Sequence, residues 1–248
     1  GPAGVLRIGT HTWQLALGAT LGVLVGVLAL GALLGRGARI KLGNALGVLF
    51  AAEWTALLAV LAAEGALDVK QHLPLHLCGI SSLVCIWHSL APRQILFETL
   101  YFTGVSAPLI ALLTPQFNYD CSLVYVLEYY FSHGWIPLTA LYSVVVLGFR
   151  PRRHAWLLNF AYMHVSIPTI GAVNYALGSN YMFLSAPPAV DNPLLFVKTP
   201  PYHIANFMLL VLGSNAVQMV PFWLLNAYEE NSAPPITATT DKSKRKAT

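Results

Sequence analysis

Charge is scarce in this chain. Only 10% of its 248 residues are Asp, Glu, Lys or Arg, against about 25% in a soluble domain, which excludes an ordinary water-soluble globule. Polar low-complexity sequence is equally thin: 56% of the residues are hydrophobic, so the chain as a whole is not disordered. Three cysteines exclude a disulfide framework. No HExxH or CxxC string is present, so neither a metal nor another cofactor is expected. No repeat of 20–50 residues is visible. The net charge of +4 is small and gathers in one tail, which leaves no nucleic-acid surface. No cleavable signal peptide is expected, the first apolar stretch serving as the insertion signal.

What is there is apolar and aromatic: eleven Tyr, eleven Phe and six Trp suit a membrane protein with interfacial rings. A spanning helix needs about 20 mostly apolar residues. Seven stretches qualify, at roughly 13–34, 43–64, 74–90, 94–113, 121–148, 154–177 and 203–226. The fold class expected is therefore all-α, a polytopic bundle of about seven transmembrane helices. It forms one domain over residues 1–230, followed by a disordered basic tail over 231–248.

The basic residues test the count. With seven spans, Arg7, Lys70 and Lys198 fall on one side, and the other eleven Lys and Arg on the opposite side with the C-terminus. The positive-inside rule makes that C-terminus cytoplasmic, in the endoplasmic reticulum of a eukaryote or the cytoplasmic membrane of a bacterium. The closing Lys244-Arg245-Lys246 resembles a dilysine retrieval signal or, alternatively, a basic segment resting on anionic lipid.

Polar residues inside a membrane are expensive and tend to mark function. Glu53, Glu98 and Glu128 fall inside spans. In the third span Pro74 suits the first helical position. Cys78, Ser81, Ser82, Cys85 and Ser89 then follow at i, i+3, i+4, i+7 and i+11, one polar stripe on an apolar helix. The stripe suits a cavity wall or a helix contact. His76 lies two residues before Cys78, on another face. In the fifth span Tyr129 and His133 share a face beside Ser132, and Pro137 removes the N–H that would bond the His133 carbonyl. If Cys78 and His133 meet, they form a nucleophile and base. Glu98, Glu128 or Tyr129 then orients the imidazole. Oxyanion donors are sought at the start of the third helix or in the Asn174 and Asn180 side chains, with Tyr181 beside them capping the cavity.

The ordered strings Leu73-Pro74-Leu75-His76-Leu77-Cys78, Phe97-Glu98-x-x-Tyr101-Phe102, Leu112-Leu113-Thr114-Pro115, Ser132-His133-Gly134 and Asn174-Tyr175-x-Leu177-Gly178-x-Asn180-Tyr181 resemble the YwaF family of integral membrane proteins. That family is distantly similar to the transmembrane protein 164 acyltransferase. The androgen-induced-gene lipid hydrolases look like a further relative, with Thr in place of Cys. The resemblance implies an intramembrane Cys and His acting on phospholipid acyl chains, with Cys78 as nucleophile and His133 as the histidine. The expected partners are membrane lipids, phospholipid or lysophospholipid. The competing expectations are a transporter relaying protons through Glu98, Glu128 and His133, a non-catalytic lipid-binding protein, and a metal site built from His76, Cys78, Glu98 and His133.

Overall fold

The computed structural model describes residues 6–115, 123–188 and 194–232. The described residues form helices joined by turns and loops: α1 (His11–Leu33), α2 (Arg36–Ala63), α3 (Leu77–Leu90), α4 (Gln94–Gly104), α5 (Ser106–Leu113), α6 (Leu123–Val145), α7 (Ala155–Leu177) and α8 (His203–Ser232). A single 3-10 turn, Tyr181–Phe183, lies between α7 and α8. Four segments, His11–Leu33, Arg36–Ala63, Gln94–Leu113 and His203–Glu229, are long and apolar enough to cross a membrane.

Counting α4 and α5 as one broken leg, seven legs alternate in direction. Side-chain bonds hold the ends together. At one end Arg39 donates to the carbonyls of Leu34 and Val146, tying α2 to the ends of α1 and α6, and Arg150 pairs with Glu229. At the other end the Trp13 indole donates to the Leu113 carbonyl, and Tyr181 reaches the turn before α3. The outward faces carry exposed Leu15, Val25, Leu49, Leu127, Val165 and Val217, an apolar girdle suited to lipid.

Close contacts rest on small residues, as is usual where membrane helices meet. A Cβ at Gly134 of α6 would run into Thr20 Cγ2 of α1, and one at Gly47 of α2 would run into Ser89 Cβ of α3. The core inside holds Phe50, Cys85, Phe97, Leu100, Trp135 and Leu138.

Four boundaries differ from the sequence reading. Arg36, Arg39 and Lys41 lie within α2, which begins seven residues before the apolar stretch. The leg at 94–113 breaks after Gly104, because Pro108 has no N–H for the Gly104 carbonyl and its ring crowds it. Helix α3 starts at Leu77 rather than Pro74, and α8 runs on to Ser232. The tail beyond Ser232, and Cys121, lie outside the described residues.

Candidate functional site

Helix α3 has 14 residues, about 21 Å at 1.5 Å per residue, against a hydrocarbon core of about 30 Å. Cys78 is the second residue of α3. The approach is tight. A Cβ at Gly79 would lie 2.9 Å from Pro74 Cα, so the turn through Pro74 folds directly against the first turn of α3. His76 takes the N-cap position without a side-chain cap bond. The helix ladder starts with the Ile80 amide donating to the His76 carbonyl. The amides of Leu77 and Gly79 have no acceptor among the described residues, the usual state of a helix start, while the Cys78 amide faces its own thiol. Cys78 is a free thiol, half-buried.

His133 sits ten residues into α6, about 15 Å along its axis. Its Nδ1 is 2.9 Å from the Tyr129 carbonyl oxygen. A carbonyl only accepts, so Nδ1 carries the proton and Nε2 presents a lone pair. No hydrogen bond reaches Nε2 among the described residues. The Tyr129 ring stacks on the imidazole at 4.0 Å and 22°, and its hydroxyl donates to the Ala111 carbonyl at 3.1 Å. Tyr130 does the same for Leu112, so the last carbonyls of α5 are satisfied by α6 and the imidazole rests on an anchored ring. Ser132 Oγ lies 3.2 Å from both the Tyr129 oxygen and His133 Nδ1. His76 is near enough to His133 for their charges to interact. No hydrogen bond joins Cys78 to His133 among the described residues.

The orienting group is therefore a main-chain oxygen. Glu98 is committed elsewhere. It is 3% exposed and accepts from Arg152 Nε at 2.9 Å, from the Arg152 amide at 2.8 Å and from Gln94 at 2.8 Å, at the opposite end of α3 from Cys78. Glu128 lies near Ser132 and within charge range of Glu53 on α2.

The stripe on α3 forms helix contacts rather than the wall of an open groove. Ser81 donates to Thr103 on α4, Cys85 to Thr139 on α6, and His88 bonds Ser143. Ser82 donates back to the Cys78 carbonyl. The chains of donors from Ser81, Ser82 and Cys85 end on helix carbonyls, while the buried Ser89 hydroxyl has no partner among the described residues. Beside its far end lies a cavity of about 20 Å³ lined in part by Asn44, His88, Ser89 and Ser143, room for one water.

Asn174 and Asn180 fold the segment after α7. Asn174 accepts from the Tyr181 amide at 2.8 Å and donates to the Tyr181 carbonyl at 2.9 Å. Asn180 accepts from the Ser185 and Ala186 amides and donates to the Ala186 carbonyl. Their amide groups hold the segment's own backbone and do not face a substrate. Tyr181 is fully buried, with its hydroxyl donating to the Val69 carbonyl at 2.6 Å and accepting from the Leu73 amide. The segment thus lies over the start of α3. Sequence reasoning missed Met182, whose amide donates to His76 Nδ1 at 3.3 Å. A main-chain donor leaves no mark in side-chain chemistry. Among the described residues no three His, Cys, Asp or Glu side chains group as metal ligands.

The model of the TMEM164 family matches residues 8–217, and the chain belongs to that family of membrane proteins. No curated protein and no solved structure matches it.

Proposed function

For this member of the TMEM164 family, we propose an intramembrane acyl-transfer enzyme in which Cys78 is the nucleophile and His133 the base. The observation that carries the reading is the fixed tautomer of His133: Nδ1–H is tied to the Tyr129 carbonyl, so Nε2 is the basic atom, as a proton acceptor for a thiol must be.

His133 Nε2 takes the thiol proton as Cys78 sulfur attacks the carbonyl carbon of a phospholipid ester. The tetrahedral intermediate collapses with cleavage of the C–O bond. His133 returns the proton to the departing oxygen, giving a lysophospholipid and a thioester on Cys78. A second lysolipid hydroxyl then attacks the thioester with His133 taking its proton. The C–S bond breaks and the thiol is re-formed. Water in place of the lysolipid gives hydrolysis. The short α3 suits an acyl ester that reaches the site from within the bilayer, and the unbonded Leu77 and Gly79 amides at its start are available to the developing oxyanion.

The test is transfer of a labelled acyl chain from phosphatidylcholine to lysophospholipid by the purified protein in nanodiscs. Transfer lost in both Cys78→Ala and His133→Ala, with folding retained, supports the reading. Full transfer in Cys78→Ala overturns it, and no transfer by the parent protein favours a lipid-binding protein without chemistry.

A further inference from the structure

A second imidazole, that of His76, stands at the N-cap of α3. Met182 donates its amide to His76 Nδ1, so Nδ1 is an acceptor and the proton of the neutral ring lies on Nε2. Nothing among the described residues accepts from that Nε2–H. The ring itself is clamped, edge-on to Tyr181 at 5.2 Å and tilted against Phe183 at 5.3 Å. The clamp is held in turn on three sides. Asn174 bonds the Tyr181 main chain, the Tyr181 hydroxyl bonds Val69 and Leu73, and His203 Nε2 donates to the Phe183 carbonyl at 2.8 Å. Met182 and Phe183 both have left-handed backbone, φ 54° and 55°, which side-chain-bearing residues adopt only when their surroundings impose it. Substantial structure is thus spent on holding one imidazole in one tautomer, two residues from Cys78 and within charge range of His133.

We propose that His76 Nε2–H is a fixed hydrogen-bond donor to the carbonyl oxygen of the acyl ester attacked by Cys78. The two histidines then have opposite tautomers and opposite tasks: His133 presents a lone pair to the thiol, and His76 presents a proton to the oxyanion. No bond to His76 forms or breaks; its N–H stabilises the charge that develops on oxygen when sulfur adds to the carbonyl carbon. With Asn174 and Asn180 committed to their own loop, His76 is the side-chain donor beside the amides of α3. A neutral imidazole polarising a carbonyl is established chemistry. Loss of one oxyanion donor lowers kcat by about 10²–10³.

This inference rests on the acyl-transfer reading, and the test separates the two. The probe is a long-chain 4-nitrophenyl ester added to the protein in nanodiscs, with nitrophenol release reporting acylation of Cys78. Alkylation of Cys78 by iodoacetamide, a displacement that forms no oxyanion, reports the thiol and its base alone. His76→Phe keeps an aromatic ring against Tyr181 and Phe183 and removes the donor. His76→Gln restores a donor on a different frame.

Expected are a fall in kcat of about 10²–10³ in His76→Phe with KM nearly unchanged, an alkylation rate within about twofold of the parent, and partial recovery in His76→Gln. Cys78-dependent nitrophenol release that His76→Phe leaves intact overturns the donor role and leaves the acyl-transfer reading standing. Alkylation that falls together with kcat overturns it as well, since His76 would then be ordering the thiol. Nitrophenol release that survives Cys78→Ala overturns both.

Discussion

His133 Nδ1 lies 2.9 Å from the carbonyl oxygen of Tyr129, one helical turn earlier, and the Tyr129 ring stacks on the same imidazole at 4.0 Å. One residue thus sets both the tautomer and the tilt of the ring. The main-chain bond survives any substitution at 129, whereas the stack does not. Tyr129→Ala is expected to lower kcat for the nitrophenyl ester between about twofold and tenfold, the scale of an aromatic pair worth about 0.5–1.5 kcal/mol. Tyr129→Phe keeps the stack and loses the hydroxyl's bond to Ala111, so its kcat should stay near the parent value. Equal losses in the two variants would remove the stack from the explanation.

His133 and Cys78 are proposed to act as one unit, so their substitutions should not add. Cys78→Ala, His133→Ala and the double variant are expected to show the same residual rate, because the second change removes a group that has already lost its partner. Steady-state kinetics on the three proteins checks this. A double variant slower than either single one by the product of their losses would mean that the two side chains work separately.

The contact between Gly47 and Ser89 makes a prediction about stability alone. An added methyl at Gly47 would clash with Ser89 Cβ, and overpacking of this kind costs about 1–3 kcal/mol. Gly47→Ala should lower the thermal midpoint in detergent, and Ser89→Gly in the same chain should restore most of it. A midpoint unchanged in Gly47→Ala would show that α2 and α3 are not in close contact there.

Acid should loosen the turn that anchors Tyr181. The Lys70 amide donates to Asp68 at 2.8 Å, and this bond holds the Asp68 carboxyl below the ordinary carboxylate range. A group with a depressed folded-state value stabilises the fold above its unfolded value, about pH 3.9, and that contribution is lost as pH falls through the lowered value. Hydrogen exchange at residues 68–73 should therefore quicken below about pH 4. Asp68→Asn should show no such step. A step of the same size in the variant would place its origin elsewhere.

Much of the fold was legible because a membrane leaves few options for the backbone. The seven apolar stretches and the one-sided basic residues give the alternating legs, and Arg39 and Arg150 bind at the end where the charge pattern gathers them. The break at Gly104 was missed because apolar residues continue through it. Its cause, Pro108, acts on a carbonyl four residues earlier rather than on hydropathy. The polar stripe of α3 was visible but its role was not. Ser81 and Cys85 are occupied by Thr103 and Thr139, partners 22 and 54 residues away, and spacing along one helix carries no information about the facing helix. Glu98 was equally ambiguous until Arg152, in the turn before α7, took its carboxylate. At the candidate site, Cys78 and His133 stood out in the sequence as a proposed nucleophile and base. The Tyr129 carbonyl and the Met182 amide did not, since every residue offers such groups and only the fold aims them.

Capture of the thioester tests the central claim most directly. The protein in nanodiscs is mixed with the nitrophenyl ester, quenched in acid within the first turnover, digested and weighed by mass spectrometry. The expected result is a mass increase of one acyl group on the peptide containing Cys78, absent from Cys78→Ala and much reduced in His133→Ala. An acyl group found on another residue, or none on Cys78 while nitrophenol is still released, would contradict nucleophilic catalysis at Cys78.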